Sequence, residues 1–204
     1  MTNSAILILC VFNIGGFFMK WVSHKMATGA FLYTVTGNLL ISALGVLGST
    51  FPDFIEGRPP QQGTPAYNSW RKKHRGLSHW LIPYLTITIL GLKYLNSFHI
   101  TTISANKIIP LIQNWQYNID IIIVHFLTYW CTGCVLHILQ DSVCGKVPLI
   151  TPYQKIGVRL FKVGSIWEYL LVFPTSVLFI FWRLSIEYKL PTHITMPNLP
   201  SWFW

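Results

Sequence analysis

Five short stretches carry the side chains that could do chemistry. His74-Arg75-Gly76-Leu77-Ser78-His79 packs two imidazoles and a guanidinium between a basic polar loop and the start of an apolar run. His137-Ile138-Leu139-Gln140-Asp141 sets an imidazole and a carboxylate four apart, hence on one face of a helix. Such a pair can hold one divalent ion, or the carboxylate can orient a ligating histidine from behind. Asp53 and Glu56 stand three apart at the end of an apolar run, His24 lies near the head of that run, and Glu168 opens the last apolar run. Nitrogen and oxygen donors without thiolate suit zinc, and also manganese or non-haem iron, as one ion or a pair.

Each stretch taken alone has a plainer reading. His137 and Asp141 can share a structural hydrogen bond at a helix end, and Asp53 and Glu56 can be solvated acids at a helix stop. Ser165-Ile166-Trp167-Glu168 has the S-x-x-E pattern of a capping box. Ser23 can cap a helix that starts at His24. His125 reads as a packed core residue, and His99 and His193 have no assigned role. Cys131 and Cys134 form a CxxC inside an apolar run, but a zinc ribbon needs a second pair, so these and Cys10 and Cys144 read as small apolar residues.

The elements that must position these groups belong to a membrane. The 204 residues are 52% hydrophobic and 10% charged, where a soluble domain carries roughly 25% charge. That composition implies an all-α, polytopic helical membrane protein, with about four spans plus a broken helical hairpin. Ala5 to Val22 is the first span, in an N-terminal segment 1–23. A single straight helix from His24 to Asp53 would run about 43 Å, too long for one untilted crossing of a core about 30 Å thick. Thr36-Gly37-Asn38 interrupts it near the middle, so we expect a hairpin that dips into the protein and returns. The other spans are Trp80 to Tyr94 or Phe98, Asn118 to Gln140, and Ile166 to Leu184, kinked at Pro174. The polar loops are Phe51 to Ser78, Asn96 to Gln116 and Lys146 to Ser165. A helical domain thus covers 24–185, and an aromatic, Pro-rich tail covers 186–204.

Charge favours the hairpin over a straight span. With the hairpin, Lys20, Lys25, Arg58, Arg71, Lys72, Lys73, Arg75, Lys146, Lys155, Arg159 and Lys162 share one face, 11 of the 15 bases. That bias is the cytoplasmic excess of Lys and Arg expected of membrane proteins. Since the net charge of +9 follows topology in this way, a nucleic-acid partner is disfavoured. Membrane lipid is the expected partner, with anionic headgroups for the Arg71-Lys72-Lys73 run. In this topology His24, Asp53, Glu56, His74, His79, His137, Asp141 and Glu168 all emerge on the basic face. Ionisable groups at such a depth are costly and tend to be functional.

The order of these elements is familiar. His24, then Pro52-Asp53-x-x-Glu56, then HRGxSH over 74–79, then HxxxD over 137–141 followed by Gly145-Lys146-Val147-Pro148-Leu149, then Glu168, resembles the YdjM-like inner-membrane, metal-dependent hydrolase family over roughly residues 24 to 170. The chain departs from that pattern in having Glu56 where many relatives carry PDxD, and in inserting Lys146 into GVPL. The resemblance implies metal-assisted hydrolysis in a bacterial inner membrane, with the site facing the cytoplasm. His24, Asp53, His74, His79, His137 and Asp141 would hold one or two divalent ions. Glu56 or Glu168 would accept a proton, and Arg75, with Lys72 and Lys73 nearby, would neutralise a phosphate ester or lipid-linked substrate. The competing class is a non-enzymatic subunit or scaffold whose metal or polar cluster only staples helices.

Overall fold

The computed structural model describes residues 19–61, 63–97, 115–158, 160–161 and 165–188. The first span expected before residue 19, the far-side connection over 98–114 and the tail beyond 188 lie outside the described residues.

Seven helices make up the described chain: α1 (Met19–Thr36), α2 (Leu39–Gly48), α3 (Phe51–Glu56), α4 (Pro65–Lys73), α5 (Leu81–Ser97), α6 (Trp115–Cys144) and α7 (Ile166–Glu187). A 3₁₀ turn, Leu77–His79, leads into α5, and two-residue strands β1 (Val147–Pro148) and β2 (Lys155–Ile156) pair antiparallel after α6. The chain is a helical membrane protein. Three described segments are long and apolar enough to cross a bilayer: Leu39–Glu56, Ile119–Cys144 and Ile166–Glu187. α5, at 17 residues, rises about 25 Å.

α1 and α2 are the two arms of the expected hairpin. Gly37 takes the left-handed conformation at φ 62°, and its amide bonds back to the Tyr33 carbonyl at 2.8 Å. Asn38 then caps α2 with its side-chain oxygen, which accepts from the Leu40 and Ile41 amides at 2.9 and 3.3 Å. The Gly37, Asn38, Leu40 and Ile41 amides at this tip therefore all find acceptors. The arms run antiparallel: Gly29 faces Val46, and Gly45 faces Thr28 and Leu32. Arg183 packs its guanidinium over Gly37, and Tyr33 donates to Glu187 at 3.0 Å. The tip thus sits beside the C-terminal end of α7, and both open ends of the hairpin return to the other end of the bundle.

Close packing ties α2 to α6. A Cβ on Gly48 would fall 1.9 Å from the Trp130 carbonyl oxygen, and one on Gly133 would fall 2.0 Å from that of Gly45. Small residues let two membrane helices meet at backbone distance. Cys134 also lies in this seam, its thiol donating to the Gly48 carbonyl at 3.2 Å, so the CxxC cysteines are buried packing residues. A core of Ile41, Leu95 and Tyr129 joins α2, α5 and α6. Gly48→Ala and Gly133→Ala are expected to cost about 1–3 kcal/mol each or more, read as a lowered unfolding temperature in detergent. Gly57→Ala, where a Cβ meets open space but φ is 73°, serves as a control for backbone strain without a clash.

Several local expectations change. α1 begins at Met19, so Ser23 lies inside it rather than capping it, and its hydroxyl has no hydrogen-bond partner among the described residues. Ser165 is the N-cap of α7 but makes no side-chain cap bond, so its half of the expected capping box does not form. The polar loop 51–78 contains α3, α4 and the 3₁₀ turn, and α6 extends past Gln140 to Cys144. Asp141 is thereby carried on the same continuous helix as His137.

Candidate metal centre

The site lies where five elements end. The N-terminal half of α1 brings His24, α3 brings Asp53 and Glu56, the 3₁₀ turn brings His79, α6 brings His137 and Asp141, and the N-terminus of α7 brings Glu168. His24, His79, His137, Asp141 and Glu168 are all buried.

Four of these side chains point donor atoms at a common space. His79 Nε2 lies 3.2 Å from His137 Nε2, 3.4 Å from Asp53 Oδ1 and 3.4 Å from Asp141 Oδ2. His137 Nε2 lies 3.8 Å from both Asp53 Oδ1 and Asp141 Oδ2. Donors about 2.0–2.2 Å from a zinc ion stand about 3.3–3.6 Å apart in a tetrahedron, and Asp53, His79 and His137 are close enough together to share an ion. A second grouping, His24, His137 and Asp141, is also tight enough to share an ion. His137 belongs to both groupings, and its Nδ1 has no hydrogen-bond partner among the described residues. The donor set fits one ion, or two that share this ring.

The histidines are held in the tautomer an ion needs. His79 Nδ1 lies 3.0 Å from Glu56 Oε1, which keeps Nε2 turned inward. His24 Nδ1 donates to Gln140 Oε1 at 2.7 Å, and Gln140 is itself fixed by donating to Thr28 Oγ1 at 3.1 Å. His24 Nε2 is left facing Asp141 Oδ1 at 3.4 Å. Such outer partners set the orientation and basicity of ligating imidazoles. Burial of His79 opposes a proton on its ring, yet hydrogen bonds to Asp141, Asp53 and Glu56 outweigh it and hold the pKa up to about 10. Surroundings that hold a proton so firmly favour a divalent cation as well.

Three expected ligands or catalytic groups have other work. Glu56 has four partners: Oε1 accepts from the Arg75 amide at 2.7 Å and from Ser78 Oγ at 2.5 Å, besides contacting His79, and Oε2 pairs with His74 Nδ1. A carboxylate with these partners organises the loop. His74 belongs to neither donor group. Its ring stacks on Trp70 with centroids 4.4 Å apart, and its carbonyl accepts from Lys155 Nζ at 2.9 Å. The cause is Arg75, whose φ of 55° reverses the chain between the two imidazoles and turns His74 outward while His79 turns in. Arg75 is tied to the donor set, its guanidinium donating to Asp141 Oδ1 at 2.7 Å. Gly145 makes room for it, since a Cβ there would lie 2.5 Å from Arg75 Nη1. The glycine ahead of the inserted Lys146 is therefore explained by the guanidinium beside it.

Ser78, Gln140, Thr28 and Lys155 are positioning residues that the motifs alone did not assign. Ser78 carried a signal, since its hydroxyl sits inside the HRGxSH element. Thr28 and Gln140 carried none, because their pairing depends on how α1 and α6 meet.

A bundle of apolar helices that gathers buried imidazoles and carboxylates at one end defines a membrane protein with a metal-binding donor set. The match to a known family agrees with the membrane part of this description. The chain belongs to the YdjM inner membrane protein family, the match covering residues 19–195. No curated protein and no solved structure matches it significantly.

Proposed function

We propose that the chain is a membrane-embedded, metal-dependent hydrolase, working at the cytoplasmic membrane surface on a phosphate ester or a lipid-linked substrate. The observation that carries this reading is the convergence of His79, His137, Asp53 and Asp141 at 3.2–3.8 Å. These four would hold the ion, most naturally zinc, with His24 available at the edge or for a second. A divalent ion there supplies Lewis acidity, drawing the pKa of water down towards about 7 and polarising a phosphoryl oxygen.

The chain's own groups do the rest. Glu168 is buried beside His24 and Gln140 along one cavity, and it is the carboxylate we assign to take a proton. Glu56 and Arg75 position ligands rather than touch substrate. The exposed Arg71, Lys72 and Lys73 close α4 and draw an anionic substrate to the surface. We assign the site to the cytoplasmic side of a multi-pass chain, a reading supported by the 11 of 15 bases that the expected topology gathers at this end.

One observation favours a second reading. Four protein donors suffice to close a structural zinc site, and a staple between α3, the 3₁₀ turn and α6 would serve a non-enzymatic scaffold. Zinc-loaded protein in lipid nanodiscs, assayed with 4-nitrophenyl phosphodiesters and long-chain alkyl phosphate esters, separates the two. We expect turnover that chelation abolishes, and a fall of about 100-fold in Glu168→Gln with metal content unchanged. No turnover by fully loaded protein leaves the staple.

A further inference from the structure

Next to the metal centre, between α1, the end of α6 and α7, lies a cavity of about 200 Å³. Its inner end is polar, formed by Ser23, His24, Gln140 and Glu168. Its walls are apolar, formed by Ala27, Val143, Val172 and Phe179 among others. Two lining residues on α7, Leu171 and Thr175, are exposed, so the cavity opens on the flank of that helix. α7 is long and apolar enough to cross a membrane, and it exposes Leu170, Phe173, Val177, Leu178 and Phe181. The mouth therefore faces hydrocarbon rather than water, and walls with so few polar partners are a poor home for ordered water.

We propose that this cavity takes a hydrocarbon chain of a lipid phosphate, whose head reaches the His24 and Glu168 end, so that substrate enters the metal centre sideways from the bilayer. The word substrate rests on the hydrolase reading; the lipid site does not. At about 30 Å³ for each water-sized volume, the space admits part of one chain and excludes a pair of chains. The rest of the chain lies along the exposed face of α7. His24 lines the inner end and shares a donor group with His137 and Asp141, so a cation held by that group would face an anionic head there.

The test uses full-length, zinc-loaded protein in phospholipid nanodiscs with a trace of hexadecyl phosphate bearing a mid-chain diazirine. We expect photo-adducts at Ala27, Val172 and Phe179 that saturate and are competed by unlabelled hexadecyl phosphate. Adducts at Leu170, Phe173 and Leu178, on the outer face, should not saturate. Ala27→Trp, or Val172→Trp from the opposite wall, is expected to lower the saturable adducts at least tenfold with metal content unchanged. Adducts that never saturate, or that persist in a folded, cavity-filled variant, overturn the proposal. So does saturable labelling that appears only after deletion of residues 2–18, since the chain's own N-terminal run would then be the occupant. Saturable labelling in a protein that hydrolyses none of the esters keeps the lipid site and removes the enzyme.

Discussion

Asp141→Ala is expected to purify with metal content near background and with a large loss of stability, the most severe outcome of any single change at this site. Two separate losses combine in it. As a ligand Asp141 faces His79 and His137, and a zinc-binding free energy of roughly 10–16 kcal/mol spread over about four ligands puts roughly 2.5–4 kcal/mol on each. It is also the acceptor for Arg75, at 2.7 Å, with the two side chains 16% and 3% exposed. Removing one partner of a buried pair leaves the other charge uncompensated, at a cost of roughly 3–5 kcal/mol. His79→Ala separates the two effects, because it removes a ligand and leaves the Arg75 pair intact. It should lose the metal, to elemental analysis, while unfolding closer to chelated wild type than Asp141→Ala does. Wild-type metal content in both variants would remove the metal centre altogether.

What could be read in the chain and what could not follows the range of the interactions concerned. The hairpin was legible because its causes are local: a glycine able to take positive φ and an asparagine able to cap stand side by side at Gly37 and Asn38. The HxxxD pair was legible because helical periodicity alone puts His137 and Asp141 on one face. The last two spans were legible from length and apolarity, and the gathering of buried groups at one end from the bias of the bases. α4 was missed although its signal was present. Thr64 and Pro65 read as part of a breaker-rich loop, but they form an N-cap and first-turn pair, with Thr64 Oγ1 accepting from the Tyr67 amide at 3.2 Å.

The roles of individual acids were the least legible. Whether a carboxylate is ligand, base or brace depends on how many donors reach it, and that count is set by tertiary contacts. Glu56 and Asp53 sit three residues apart on one short helix, yet one is turned into a loop that offers it four donors and the other towards the two imidazoles. The residue that decides this is Arg75, a non-glycine at positive φ, which sequence pattern gives no reason to expect. Its strain is offset by the bonds it makes possible, from its amide to Glu56 and from its guanidinium to Asp141.

Glu56 is therefore the second place where a single change should be severe, and in a manner that distinguishes a brace from a base. Glu56→Ala leaves His74 Nδ1, the Arg75 amide, the Ser78 hydroxyl and His79 Nδ1 without their shared acceptor. Bonds to a charged group contribute roughly 1.5–3 kcal/mol apiece and do not simply add, so a loss of several kcal/mol is expected, with the 74–79 loop released. Glu56→Gln is the informative variant, since it keeps the shape and one acceptor oxygen but removes the charge and presents an amide N–H₂ to at least one donor. Metal affinity, measured by competition with a chromophoric chelator, is expected to fall roughly 10–100-fold, as for loss of an outer partner of a ligating histidine. Proteolysis within 74–79 should rise in parallel, and saturating metal should restore hydrolysis in large part, because the ligands themselves remain. A general base would behave in the opposite way: metal affinity and loop protection would stay at wild-type levels while hydrolysis stayed low at every metal concentration. That second pattern would return Glu56 to the reacting atoms and leave Glu168 without the role assigned to it here.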